Sequence, residues 1–345
     1  MALPPPRKPG APAVRIRPDA VEVPLRRPGE YLPQRRAAPV RPVRAGELDA
    51  ALGLLLAGGE GAGPDGWQID AFKQWAQGEQ CDLTRMMVAV QRGRVRHACL
   101  FVPQAGGVAF VWASRPAGTE SMPRAAQTVR ETCQWAFRLH CRLLQMLLEP
   151  GDRERGELCR QSGFRPLTDL IYLVRPAGPP KAPPAAPLPP EGCNWLTYAP
   201  EHHQLFRDVL VRSYVESRDC PELSEWREVE DALAAHQGAG VFEPRYWQVL
   251  LHEGKGVGVL LLTRLRSGEA MELTYMGLCP TVRGRGWGRV LLEQALWLAH
   301  GAGGLSLTLA VDCRNQPARR LYEQFGFAPI LRRSVYLRSV RWVEG

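Results

Sequence analysis

The tightest constraint on this chain is a segment that occurs twice. Cys159–Arg175 reads CRQSGFRPLTDLIYLVR, and Tyr322–Arg338 reads YEQFGFAPILRRSVYLR. Gln161/Gln324, Gly163/Gly326, Phe164/Phe327 and Pro166/Pro329 align at a separation of 163 residues. Tyr172 and Tyr336 follow with one residue of slippage. A lone Gly-Phe dipeptide would be chance, but a run of this kind points to duplication of one folding unit. Cys159 stands where the second copy has Tyr322. The 345 residues leave room for two ordinary domains of about 100–200 residues each.

Proline and charge mark where those units end. Of 31 prolines, 11 fall in residues 1–46 and 8 in residues 176–192. The first stretch also carries ten Arg/Lys against three acids, so seven of the nine net positive charges sit there. Such a segment cannot bury enough apolar surface to offset its ordering entropy, and residues 1–45 read as a disordered basic tail. The tail lacks interleaved aromatics and a compact basic patch, which favours a solvated arm over a nucleic-acid binder. Its prolines spoil the amphipathic helix of a transit peptide. PAGPPKAPPAAPLPPEG at 176–192 reads as a semi-rigid spacer. The expected division is therefore tail 1–45, domain 46–175, linker 176–192 and domain 193–345.

No apolar run approaches the roughly 18 residues of a membrane span, and the first thirty residues lack the apolar core of a signal peptide. The nine cysteines are scattered, with no C-x-x-C pair. A disulfide framework or structural zinc site is not expected, and reduced thiols in a cytoplasm are the reading.

The second copy yields a coarse map. Trp195–Tyr198 suggests a strand, and Leu205, Phe206, Val209 and Leu210 recur at helical spacing. Trp226, Val229 and Leu233 suggest another helix. Tyr246–His252 and Val257–Leu265 form a hairpin around Glu253–Gly256, and Ala270–Cys279 is a third strand. Gly286 opens a helix with Leu291, Leu292, Ala295, Leu296 and Ala299 on one face. Leu305–Val311 is a strand. Asn315 can cap a helix with Pro317 in its first turn, and Phe327–Val340 supplies the closing strands. Strands of mixed direction with helices on both faces give an α/β or α+β sandwich.

Chemistry concentrates in Met276–Arg289, MGLCPTVRGRGWGR. A strand end and a proline are followed by Gly284, Gly286 and Gly288 entering a helix. Glycine lets backbone amides approach an anion, and a helix start adds unpaired N–H groups with partial positive charge. Arg283, Arg285 and Arg289 add formal charge, a combination suited to pyrophosphate. No lysine follows these glycines, which excludes a Walker loop. Counted from Gly284, Arg289 stands where a dinucleotide fingerprint needs its third glycine.

At these residues the sequence resembles the GNAT superfamily of acyl-CoA N-acyltransferases. Arg283, Gly286 and Gly288 match its [R/Q]-x-x-G-x-[G/A] signature. Asn315, Ala318, Leu321-Tyr322 and Gly326-Phe327 match its N-x-x-A…L-Y…G-F arrangement. The likeness spans about residues 195–340. The first copy resembles the family only at its last strands; near Pro116–Gln127 it reads PAGTESMPRAAQ, without the glycine pattern. The resemblance implies a mixed central sheet flanked by helices, in two tandem copies of which the first is degenerate. It implies an N-acyltransferase taking an acetyl group from acetyl-CoA to an amine by direct attack in a ternary complex, with no metal. Amides of Arg283, Gly284, Arg285, Gly286, Trp287, Gly288 and Arg289 would bind the pyrophosphate, with Asn315 beside the cofactor. The Leu278 N–H would meet the thioester carbonyl. Tyr322 would protonate the departing thiolate, and Glu272, on the strand leading to the cofactor, would deprotonate the ammonium.

Other readings of single residues stay open. Cys279 could form an acyl-enzyme, but no activating His lies near it in sequence. His202-His203 could belong to an acceptor pocket or to a solvated helix face. Trp226, Trp247 and Trp287 read as core or cofactor-adjacent packing. The competing function is a non-catalytic tandem module that binds acyl-CoA or a protein partner. Membrane and nucleic-acid partners are not expected, and acceptor identity and oligomeric state are not readable.

Overall fold

The two copies of the repeated segment lie side by side as neighbouring strands at the centre of one sheet. The computed structural model describes residues 40–57, 66–118, 121–178, 186–303 and 305–342. Residues 1–39 of the expected tail, and 179–185 of the expected linker, lie outside these. The first half contains β1 (Val40–Pro42), α1 (Leu48–Leu56), α2 (Gly66–Gly78), β2 (Met86–Gln91), β3 (Arg94–Gln104), β4 (Val108–Ala113), α3 (Met122–Arg138), β5 (Leu143–Leu148), α4 (Arg153–Gln161) and β6 (Arg165–Arg175). The second contains β7 (Cys193–Thr197), α5 (His203–Tyr214), α6 (Leu223–Trp226), α7 (Val229–Gly238), β8 (Trp247–His252) and β9 (Lys255–Arg264). It continues with β10 (Ala270–Leu278), α8 (Trp287–Gly301), β11 (Ser306–Asp312), α9 (Gln316–Gln324) and β12 (Ala328–Ser339).

All twelve strands join in the order β1-β2-β3-β4-β5-β12-β6-β11-β10-β9-β8-β7. Two pairs are parallel, β4 with β5 and β10 with β11; the others are antiparallel. Each half therefore lends its last strand to the other: β12 lies against β5, and β6 lies against β11. Phe327–Val340 is accordingly one long strand and not the several closing strands its length suggested, because its partner comes from the other half of the chain. Val40–Pro42, assigned by composition to the tail, is an edge strand on β2, and the Arg41 guanidinium pairs with Glu47.

The register shows the duplication directly. Leu307 pairs with Arg175 and Arg338 with Leu144, so both partners shift by 163 residues between halves. The same shift maps Leu170 onto Arg333, which pair with each other, so a pseudo-two-fold axis passes between them. It also maps α4 onto α9, including caps: Asp152 accepts from the Arg155 N–H as Asn315 accepts from the Ala318 N–H. Leu167 and Ile330, each following the shared proline, are the two extra residues where the β6–β12 register steps. The offset is constant, which corrects the tyrosine alignment. Tyr172 corresponds to Val335 and Tyr336 to Leu173, so the two tyrosines point to opposite faces.

Two features join the halves beyond the strand exchange. The turn Ala105–Gly107 receives α7 so closely that a Cβ on Gly106 would lie 2.0 Å from the Asp231 carbonyl oxygen. Arg142 from the first half forms a two-point ion pair with Asp231. Helix α8 packs Leu292, Ala295 and Ala299 against Met271, Leu273, Leu307 and Leu309 on one sheet face. Helices α5 and α7 cover the other face, packing Phe206, Leu210 and Leu233 against Trp247 of β8. Among the described residues no helix is long and apolar enough to cross a membrane.

Candidate active site

Strand β10 is where the sheet opens. Parallel pairing with β11 runs from Ala270/Ser306 only to Leu273/Leu309. At that point the β9–β10 register skips Thr274, a bulge that bends β10 away while its pairing with β9 continues to Leu278. A cleft of about 750 Å³ lies in the resulting gap. Cys279 donates its N–H to the Val257 carbonyl at 2.8 Å. Adjacent residues of an extended strand aim their N–H groups to opposite sides. The Leu278 N–H therefore faces the gap.

The glycine turn closes one end. Gly284 and Gly286 have φ of +76° and +80°, a region that strains any residue with a side chain, and Gly286 is the N-cap of α8. A Cβ on Gly288 would lie 3.5 Å from Leu321 of α9. The three arginines divide their tasks. The Arg283 guanidinium donates to the carbonyls of Leu278, Glu216 and Ser213 at 3.0–3.2 Å, tying β10 to the end of α5. Arg289 pairs with Glu293 and lies over Phe325, and Arg285 lies near the Trp287 ring. Arg283 is thus a strut, and anion affinity at this turn falls to the backbone amides and to the remaining positive charge.

Helix α9 supplies the facing wall. Pro317 sits in its first turn behind the Asn315 cap, and Gly326 at φ +77° follows its last turn. Tyr322 lines the cleft from α9, with its ring 5.6 Å from Phe327. Burial, and secondarily the Asp219 carboxylate, push its phenol well above its ordinary range, so it is protonated at neutral pH.

Of the residues singled out from sequence, Leu278, Arg283, Gly284, Gly288, Asn315 and Tyr322 line this cleft. Arg285, Gly286, Trp287 and Arg289 belong to the turn but are not among its lining residues. Glu272 is not brought in either: it lies before the bulge, between Thr263 and Thr308, and its charge acts on Tyr172. Cys279 is buried and its thiol is raised by burial, which leaves little thiolate for nucleophilic attack. His203 is held between the Tyr198 hydroxyl and Glu230, both at 3.0 Å. Trp247 is fully buried, Trp226 packs edge-on against Trp342, and Trp287 packs near His252.

Sequence reasoning missed the turn after α5. Ser213, Glu216, Ser217, Arg218 and Asp219 all line the cleft. The Ser213 hydroxyl bonds that of Tyr275 at 2.8 Å, and a Cβ on the intervening Gly277 would collide with both. Behind Asp219 lies Asp312, buried at the end of β11. Burial disfavours the ionised form of Asp312, but Arg314, the Thr168 hydroxyl and the Cys220 N–H outweigh it and hold the group below the usual carboxylate range. Asp219 Oδ1 accepts the Asp312 N–H at 2.8 Å. Much of Asp219 is open to the cleft while its carboxylate turns inward, and burial there raises its proton affinity. Its only sequence signal is an acid in a turn-rich stretch.

Comparison with known proteins agrees with this geometry. Residues 206–327 match the model of the acetyltransferase (GNAT) family. A mycothiol acetyltransferase of Thermomonospora curvata is 32% identical over 149 residues, 41% of this chain and 48% of that protein. A peptidyl-lysine N-acetyltransferase of Salmonella typhimurium is 36% identical over 85 residues, 25% of this chain and 51% of that protein. The chain thus spans about half the length of these two relatives. Among solved structures, a GCN5-related N-acetyltransferase from Sphaerobacter thermophilus is similar, with a TM-score of 0.57 at 18% identity over 87% of this chain and 95% of its own. That likeness is one of fold.

Proposed function

We propose that this chain, whose residues 206–327 match the acetyltransferase (GNAT) family, transfers an acetyl group from acetyl-CoA to a primary amine. The observation that carries the reading is the parting of β10 and β11 at the Thr274 bulge, with a glycine turn at one end and Tyr322 on the facing wall. The pyrophosphate would lie on the amides of Arg283–Arg289 and the acetyl group beside the Leu278 N–H. A donor preorganised at a developing oxyanion is worth about 3–4 kcal/mol. The amine nitrogen attacks the thioester carbonyl, the C–S bond breaks, and Tyr322 gives its proton to the sulfur. Burial keeps the phenol neutral and so holds the proton in place. Handing it to the thiolate of a thiol with pKa near 8.5 is uphill, a step drawn forward when Tyr322 is reprotonated from the acylated nitrogen.

The names of the relatives guide the choice of acceptor. A panel should hold a lysine peptide, deacetylated mycothiol and simple alkylamines. Release of free thiol that depends on one of these amines, with an acetylated product by mass, is the expected result. Tight acetyl-CoA binding with no transfer to any of them would instead favour a non-catalytic binding module.

A further inference from the structure

The acetyl transfer proposed above needs somewhere to put the proton of an ammonium acceptor, and Glu272 is not among the residues that line the cleft. Asp219 lines it, on the turn between α5 and α6. The backbone N–H of Asp312 holds one carboxylate oxygen. The Asn315 side chain caps α9 through its oxygen and lines the same cleft. The same carboxylate acts on the Tyr322 phenol across the cleft wall. One carboxylate and one phenol therefore share a single cleft.

We propose that Asp219 removes the proton from the ammonium form of the acceptor, working opposite Tyr322. The Asp219 carboxylate takes one proton from R–NH3+ and becomes neutral, freeing the nitrogen lone pair. The nitrogen attacks the thioester carbonyl carbon, the C–N bond forms and the C–S bond breaks. The sulfur takes the Tyr322 proton, and the second nitrogen proton restores Tyr322. Asp219 then releases its proton to solvent at the cleft mouth, so one proton leaves per acetyl group transferred.

The groups facing Asp219 set its proton affinity. They are Asp312 and Arg314 from β11 and the turn after it, Asn315 and Tyr322 from α9, Tyr275 from β10, and Cys220 next in the chain. Glu222 acts at one remove, through its ion pair with Arg314. Burial raises the carboxylate and the Asp312 charge adds to it, against the Asp312 N–H, the Asn315 amide and Arg314. A raised carboxylate makes proton capture from an ammonium less unfavourable.

The test uses the full chain and whichever amine of the panel is turned over. Asp219→Asn should lower kcat/KM at pH 7 by about 10²-fold or more. In the variant, log(kcat/KM) should climb by one per pH unit toward the pKa of the amine, because only the free base reacts; the wild type should be flat there. Affinity for acetyl-CoA should be unchanged, and Asp219→Glu should recover part of the rate. A uniform loss with the pH profile unaltered would mean that Asp219 only supports the turn, and would overturn the proposal. So would wild-type turnover by Asp219→Asn. If the wild type acetylates no amine, the transfer reading itself fails, an outcome distinct from both.

Discussion

The exchange of last strands makes a demanding prediction about cutting the chain. Strand β6 pairs through six residues with β11 and through nine with β12. At about one hydrogen bond per pair and about 1 kcal/mol net for each, the two seams are worth on the order of 10 kcal/mol. That equals the whole stability of an ordinary domain, about 5–15 kcal/mol. A fragment 186–345 lacks β6, so β11 and β12 lose their shared neighbour, and β12 loses β5 as well. The expected outcome is that this fragment alone shows no cooperative thermal transition and no acetyl-CoA binding by calorimetry. Co-expression with fragment 1–185 should restore both, because the break falls in the proline-rich linker and severs no strand. A cooperative melt and full acetyl-CoA affinity in fragment 186–345 alone would refute the exchange.

Three further outcomes follow from the site and the core. Tyr322→Phe keeps the ring against Phe327 and should leave acetyl-CoA affinity intact while kcat falls by about 10²-fold or more, as steady-state kinetics would show. Gly286→Glu places a side chain at φ +80° and a negative charge at the start of α8, and should weaken acetyl-CoA binding by at least about tenfold in calorimetry. His97 is buried beside the Ser114 carbonyl, and burial lowers its pKa to about 4. Below its unfolded value near 6.5 the unfolded chain takes the proton first, so stability should be lost as pH falls from 6.5 toward 4. The loss from His97 is of order 3 kcal/mol, read as a falling denaturation midpoint whose slope His97→Gln would reduce, while His236, also lowered by burial, keeps a fall of the same sign.

How much of this was legible in the sequence depended on whether the signal was local. The glycine turn and the Asn315 cap are read from residue types at fixed offsets, and both formed where expected. Strand limits followed apolar runs closely, as at β8 and β9. The exchange of β6 and β12 was not legible, because alternation says which face a strand buries and not which strand lies beside it. Tyr172 and Tyr336 misled for a related reason: similar residues one position apart on a strand face opposite ways. Glu272 looked suited to proton abstraction because it lies on β10 ahead of the glycine turn, and the residues that line the cleft on that strand begin one position later, at Leu273. Asp219 carried no pattern at all; a turn acid acquires its role only when β11 and α9 are brought against it.

The two halves share a constant register, yet they differ at four places that can be named. Strand β4 lacks the bulge: its pairing with β3 is unbroken from Val108 to Ala113. The counterpart of Asn315 is Asp152, and it is engaged across the strand ends by Arg115 at 2.8 Å and by Arg155 at 2.7 Å. The counterpart of Tyr322 is Cys159, which is fully buried with its sulfur 3.6 Å from that of Met146. The glycine pattern is missing as well. An ion pair thus spans the gap in the first half that stands open in the second. What the first half gives the second is structural. Its strand β6 carries the Thr168 hydroxyl to Asp312, the residue whose N–H holds Asp219. The turn Ala105–Gly107 and Arg142 fix α7 over the same sheet face. Two halves merely tethered could be parted without cost to either; two that have traded strands each need the other's backbone.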